Sequence, residues 1–164
     1  MEEAQRFSEL AHAKGLKTAG VMVEVPSSAL LAEDILGEAD FASIGTNDLT
    51  QYTMAADRML GSVAHLQDPW HPAVLRLIRQ VGAAGQTTGR PVGVCGEAAA
   101  DPLLAVVLVG LGVNTLSMAP AALSDVRTEL TLHSAEQART VAEAALGASS
   151  AAEARKAALA ASQD

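Results

Sequence analysis

Four short runs leave few folds open to this chain. They are TAGVMVEV at residues 18–25, FASIG at Phe41–Gly45, PVGVC at residues 91–95 and NTLSM at residues 114–118. Each is β-branched or apolar, stops at a polar residue, Gly or Pro, and gives way to a stretch with helical spacing. Parallel strands need a crossover between them, usually a helix, so this alternation predicts an α/β fold with a parallel sheet. The runs read as apolar on both faces, as buried parallel strands do. A complete (β/α)8 barrel takes about 250 residues, or roughly 31 per unit. The 164-residue chain has four such units between residues 15 and 130. That matches the second half of a TIM-type barrel, closed by a helical tail.

The helical segments have recognisable ends. Residues 2–14 form an amphipathic helix with Phe7, Leu10 and Ala11 on one face, stopped by Gly15. After Pro26, SALLAEDILGEA reads as a helix capped by Ser27 or Ser28. Residues 46–59 read as a loop and a helical turn. Residues 72–85 carry an apolar stripe of Val74, Leu75, Leu77, Ile78 and Val81, with His71 at the helix start. Asp101 followed by Pro102 predicts a cap and first turn for a helix through Leu111. Residues 120–130 continue as helix or turn. Beyond that the composition shifts to Ala, the best helix former. Residues 131–164 are therefore expected to be a helical extension of one or two segments, broken near 147–150, on a domain of residues 1–130.

Hydrophobic residues make up 49% of the chain, so a sizeable core is available. A net charge of −8, without a basic run or aromatic platforms, excludes an ordinary nucleic-acid binder. Residues 102–113 are the most apolar stretch and are too short to span a bilayer. The charged N-terminus has no signal-peptide pattern. The single Cys excludes an intramolecular disulfide and fits a reducing compartment. The expectation is a soluble cytoplasmic protein.

In parallel α/β folds the chemistry sits at the C-terminal strand ends. Here those ends carry Glu24, then Gly45-Thr46-Asn47-Asp48, then Cys95-Gly96-Glu97, then Met118. Glu24 and Asp48 can share a hard cation such as Mg2+, which takes one or two protein carboxylates and fills its shell with water and substrate oxygens. They can equally be caps or ion-pair partners. Asn47 and the amides after Gly45 suit an anion, and Arg58 can clamp a phosphate or carboxylate or simply be solvated. Cys95, largely protonated at neutral pH at its ordinary pKa, suits proton donation, nucleophilic attack or a buried structural role. None of His12, His65, His71 and His133 stands in a nucleophile context.

The stretch from Asp40 to Arg58, DFASIGTNDLTQYTMAADR, resembles the C-terminal signature of the phosphoenolpyruvate-utilising enzymes. That family includes enzyme I of the sugar phosphotransferase system, pyruvate phosphate dikinase and phosphoenolpyruvate synthase. The flanking GVMVEVPSSALLAEDI, HPAVLRLIRQV, PVGVCGEAAADP and GLGVNTLSM extend the resemblance over about residues 1–130, and TQYTMAADR looks more like the enzyme I branch. By that resemblance Glu24 and Asp48 are Mg2+ ligands, and Asn47 and Arg58 contact the phosphate of phosphoenolpyruvate. Asp48 is counted with them in the substrate site. Cys95 protonates the enolate, and Glu97 matches a position of open role. Ala100 and Ala119 depart from the family, which usually has Gly and Ser there.

The implied reaction moves a phosphoryl group from phosphoenolpyruvate to a His on a separate domain, then to a carrier protein and on to sugar. The family barrel has eight units, and this chain begins just before the fifth strand. On its own it is therefore expected not to perform phosphotransfer, and the family further implies a homodimer. Two other readings stand beside this one. One is a non-catalytic half-barrel assembly module. The other is a fragment of a dikinase or phosphoenolpyruvate synthase type enzyme.

Overall fold

The computed structural model describes residues 2–57 and 59–163. Its order is α1 (Glu2–Ala13), β1 (Gly20–Val23), α2 (Pro26–Leu30), α3 (Ala32–Glu38), β2 (Phe41–Gly45), α4 (Thr46–Met54), α5 (Pro72–Thr88), β3 (Val92–Cys95), α6 (Pro102–Gly110), β4 (Thr115–Ser117), α7 (Leu123–Thr131), α8 (Ala135–Leu146) and α9 (Ala151–Ala161). Short 3-10 helices lie at Gly61–Leu66, Glu97–Ala100 and Pro120–Ala122. The four strands are parallel and stand side by side in chain order. A doubly wound sheet reverses its order at a switch point. This sheet advances one unit at a time, which is how half of a (β/α) barrel is wound.

Consecutive right-handed crossovers carry the helices to one side of the sheet. Val23, Ala42, Ile44, Val92 and Val94 point that way and are buried. The alternate residues point to the other face, where Met22 is 48% and Phe41 39% exposed. The sequence suggests strands buried on both faces, and the structure corrects this. One face is covered by helices and the other is open, because four strands do not close around an interior.

Several boundaries also differ from the pattern reading. Ser27 and Ser28 lie inside α2 rather than before it. The N-cap is Val25 with Pro26 at the first helical position, and the Ser28 hydroxyl donates back to Val25 O. The helix expected over SALLAEDILGEA breaks at Leu31 into α2 and α3. Residues 46–54 are helical from the end of the strand, with no loop between. In the next two units Asp101 is the cap expected, and His71, read as a helix-start residue, proves to be a cap as well. His71 Nδ1 accepts from the Ala73 N–H at 3.2 Å, and Asp101 Oδ1 accepts from the Leu104 N–H at 3.2 Å.

The N-terminal edge of the sheet is tied by one carboxylate. Asp40 Oδ2 accepts from the Ala19 N–H at 2.8 Å and meets His12 Nε2 at 2.9 Å, while Oδ1 accepts from Arg90 at 3.0 Å. Ala19, Asp40 and Arg90 stand just ahead of β1, β2 and β3, so this side chain ties the starts of three strands and α1 together. The Ala19 amide bond and the His12 bond, with the charges of His12 and Arg90, hold its carboxyl below the usual Asp value.

The tail shares the core. PLLAVVLVG in α6 is apolar on every side, and a helix of that kind must be covered all round. Leu104 to Leu108 are buried. The outer cover is α8, where Val141, Ala142, Ala145 and Leu146 are buried in the same apolar cluster as the sheet. Small side chains bring the two helices into contact. A Cβ on Gly110 would stand 2.1 Å from the Ala138 carbonyl oxygen.

Candidate active site

Glu24 follows β1 directly. Val23 pairs with Ile44, so Glu24 stands beside Gly45 at the end of β2. Its side chain crosses that glycine, and a Cβ there would lie 2.6 Å from Glu24 Oε1 and 2.8 Å from its Cγ. Gly45 is thus the space through which the carboxylate reaches the open face. Gly45 pairs in turn with Cys95, and Cys95 with Ser117. The ends of all four strands therefore form one row.

The strand-to-helix junction at Gly45 brings in the next residues. The Thr46 hydroxyl donates to Cys95 O at 3.2 Å, which binds the first residue of α4 to the end of β3. Asn47 and Asp48 are then in the first turn of α4, and an acidic residue there is favoured by the helix dipole. Gly96, at φ 103°, turns the chain away from β3 in a conformation that L side chains rarely adopt. Both amide atoms of Asn47 would lie 3.7 Å from a Cβ at Gly96. Cys95 is half-buried, and its thiol donates weakly to Ile44 O at 3.5 Å.

Two clefts open from this row. One, of about 480 Å3, lies between the ends of β3 and β4 and is lined by Asn47, Gly96, Glu97, Ser117 and Met118. The other, of about 210 Å3, is lined by Asn47, Thr50, Gln67, Pro69 and Glu97. Asn47 and Glu97 border both. The Thr50 hydroxyl in the wall of the smaller cleft is buried without a hydrogen-bond partner. Gln67 is held by a hydrogen bond from its side-chain amide to Ala56 O.

Glu24, Asn47, Asp48 and Cys95 all lie at the C-terminal ends of the strands. Arg58, the other residue singled out from the sequence, lies outside the described residues. Among the described residues no group of three or more His, Cys, Asp or Glu side chains could hold a metal ion. The Glu24 and Asp48 carboxylates offer oxygen donors only. Such a pair fits a hard cation that keeps water or substrate oxygens, and does not fit a structural zinc site. The sequence reading missed the Thr46 bond to Cys95, Ser117 and the Gln67–Pro69 wall. Ser117 was readable from strand alternation, since it shares the face of Cys95. The Gln67–Pro69 wall reaches the site only through tertiary contact and has no local signal.

A one-way parallel sheet with acids, an amide and a thiol at its strand ends defines a class: a parallel α/β domain whose polar groups gather at the C-terminal strand tips. Residues 2–135 match the family described as PEP-utilising enzyme, PEP-binding domain, where PEP is phosphoenolpyruvate, and the chain belongs to that family. Its relatives include proteins named phosphoenolpyruvate-protein phosphotransferase. The one from Streptomyces coelicolor is 52% identical over 157 residues, covering 95% of this chain and 28% of the relative. Those from Bacillus subtilis and Geobacillus stearothermophilus are 45% and 43% identical, over 79% and 88% of this chain and 23% and 25% of the relatives. The chain spans about a quarter of the length of these relatives. No helix among the described residues is long and apolar enough to cross a membrane.

Proposed function

We propose that this chain carries the metal-binding and proton-donating part of the substrate site of a phosphoenolpyruvate-protein phosphotransferase. Residues 1–130 form the phosphoenolpyruvate-binding portion, and residues 131–164 are its helical extension. The observation that carries the reading is the meeting of Glu24, Gly45 and Cys95 in one row, with Asn47 against Gly96. Glu24 and Asp48 hold Mg2+, which when bound offsets charge on the phosphate and on the enolate oxygen. Asn47 donates its side-chain amide to the phosphate, and Arg58 supplies a bidentate contact to it.

The balance of the reaction is simple. The phosphorus–oxygen bond of phosphoenolpyruvate breaks as a new bond forms to a His nitrogen on a separate domain, and the enolate of pyruvate leaves. Cys95 delivers its thiol proton to the methylene carbon, giving pyruvate and a thiolate. From the phosphohistidine the group passes to a carrier protein and on to sugar in the cytoplasm. The full-length protein works as a homodimer.

The test is a calorimetric titration of oxalate, a planar dianion that mimics the enolate, into the chain with and without Mg2+. Binding that requires Mg2+ and disappears in Asp48→Ala is the expected result. Oxalate binding unaffected by Mg2+ and by Asp48→Ala would sink the assignment. A second reading, a module that closes against another half-barrel, is favoured by the open sheet face bearing Met22 and Phe41.

A further inference from the structure

The last helix is tied to the site wall through a single buried aromatic. Arg155 on α9 donates from Nη2 to Asp101 Oδ2 at 2.6 Å, and its guanidinium lies 5.1 Å from the centre of the Trp70 ring. The Trp70 indole N–H donates to the same Asp101 oxygen at 3.2 Å, while Asp101 Oδ1 caps α6 through the Leu104 N–H. Trp70 is 1% exposed. One carboxylate thus joins α9, the start of α6 and the segment before α5. The residues next to this junction wall the smaller cleft: Pro69 precedes Trp70, and the Glu97–Ala100 turn leads straight into Asp101.

We infer that Arg155 is a positioning residue for the site, holding the Pro69 and Glu97 walls of the cleft through Trp70 and Asp101. The ligand in question is that of the proposed function, and the inference rests on that reading for the ligand alone. The geometry explains why such a contact exists. A planar guanidinium can stack on an indole and hydrogen-bond a carboxylate at the same time, which an ammonium cannot reproduce. With both partners fixed, the two wall segments have one arrangement. Without Arg155, Trp70 loses the group lying against its ring, and the Asp101 carboxylate loses its cation. The segments on either side of the cleft are then free to shift independently.

Trp70 is the only tryptophan in the chain, so its emission reports the junction directly. The experiment compares the whole 164-residue protein with Arg155→Ala and Arg155→Lys. Amide hydrogen exchange without ligand follows residues 67–71 and 96–101. Oxalate with Mg2+ is then titrated while Trp70 emission and heat are recorded. The expected result is faster exchange in both segments of Arg155→Ala, with α1 and β1 unchanged. Oxalate affinity falls about three- to tenfold, and Arg155→Lys recovers part of both. Exchange at 96–101 equal to the parent's overturns the inference, as does faster exchange with unaltered affinity. A uniform rise across the chain marks a merely structural side chain and overturns it too. If Arg155→Ala does not fold, Arg155→Lys decides alone, because it keeps the charge and loses the stacked plane. If the parent binds no oxalate, the proposed function fails, and the exchange data judge the positioning of Glu97 separately.

Discussion

Two glycines in the site do different jobs, and substitutions separate them. At Gly45 an added Cβ meets the Glu24 side chain, at Oε1 and Cγ, and that side chain can swing aside. Gly45→Ala should therefore cost about 1 kcal/mol or less in urea unfolding while weakening Mg2+-dependent oxalate binding at least roughly tenfold, as misplaced ligand shells do. At Gly96 the backbone itself is the obstacle, with φ at 103°. Gly96→Ala should destabilise the fold by about 1–2 kcal/mol, and the unfolding midpoint will shift with little change in slope. Asp40 belongs to the opposite end of the sheet, and its effect is on stability. Its carboxyl is held below the ordinary value by the Ala19 amide, His12 and Arg90. The stabilisation is therefore complete above the unfolded-state pKa and is lost as pH falls through the lower folded-state value. Thermal melts between pH 5 and 2 should show a steeper acid loss in the parent than in Asp40→Asn, and equal slopes would refute the linkage.

Among the elements, α6 explains the tail. An all-apolar nine-residue helix cannot face water on its outer side, and the Ala-rich α8 covers it at a distance that only small residues allow. A side chain at Gly110 collides with the backbone of Ala138, not with a movable side chain. Gly110→Val should thus push α8 outward and cost roughly 2–4 kcal/mol, measurable as a lower denaturation midpoint with faster exchange in α8. α9 is held more locally. Ser150 caps it through the Glu153 N–H, and Glu153 accepts from the Ser149 hydroxyl and from the Ser149 N–H, which together hold its carboxyl below the usual Glu value. The Asp101 cap of α6 was readable in the sequence, because a cap is a local matter of one side chain and an amide three residues on, whereas the cap expected at Ser27 or Ser28 was not the one used. The break at Leu31 was not, since no Gly or Pro marks it.

At the scale of the whole molecule, the sheet is finished on one face and open on the other. β1 and β4 each present an unpaired edge in this sheet, and parallel edges of that kind invite pairing with another chain. With Met22 and Phe41 on the same open face, the chain should self-associate with rising concentration in sedimentation velocity. Met22→Lys should shift the distribution toward monomer. A parent that stays monomeric at high concentration would mean that this surface is stable in water by itself.

Strand number, strand direction and the gathering of polar residues at one end of the sheet were all legible from the 164 residues. Each depends on short-range patterning: β-branched runs, the helical period between them, and polar residues where a strand stops. So were Glu24, Asn47, Asp48 and Cys95 as site candidates, because parallel winding sends every strand end to the same side. What the sequence left open was decided by contacts between distant segments. Passage of Glu24 over Gly45, the second cleft behind Asn47, and the link from Arg155 through Trp70 to Asp101 all join segments distant in the chain. The open sheet face is of the same kind. Alternation along a strand tells which side chains share a face, but only the packed neighbours determine whether that face is covered.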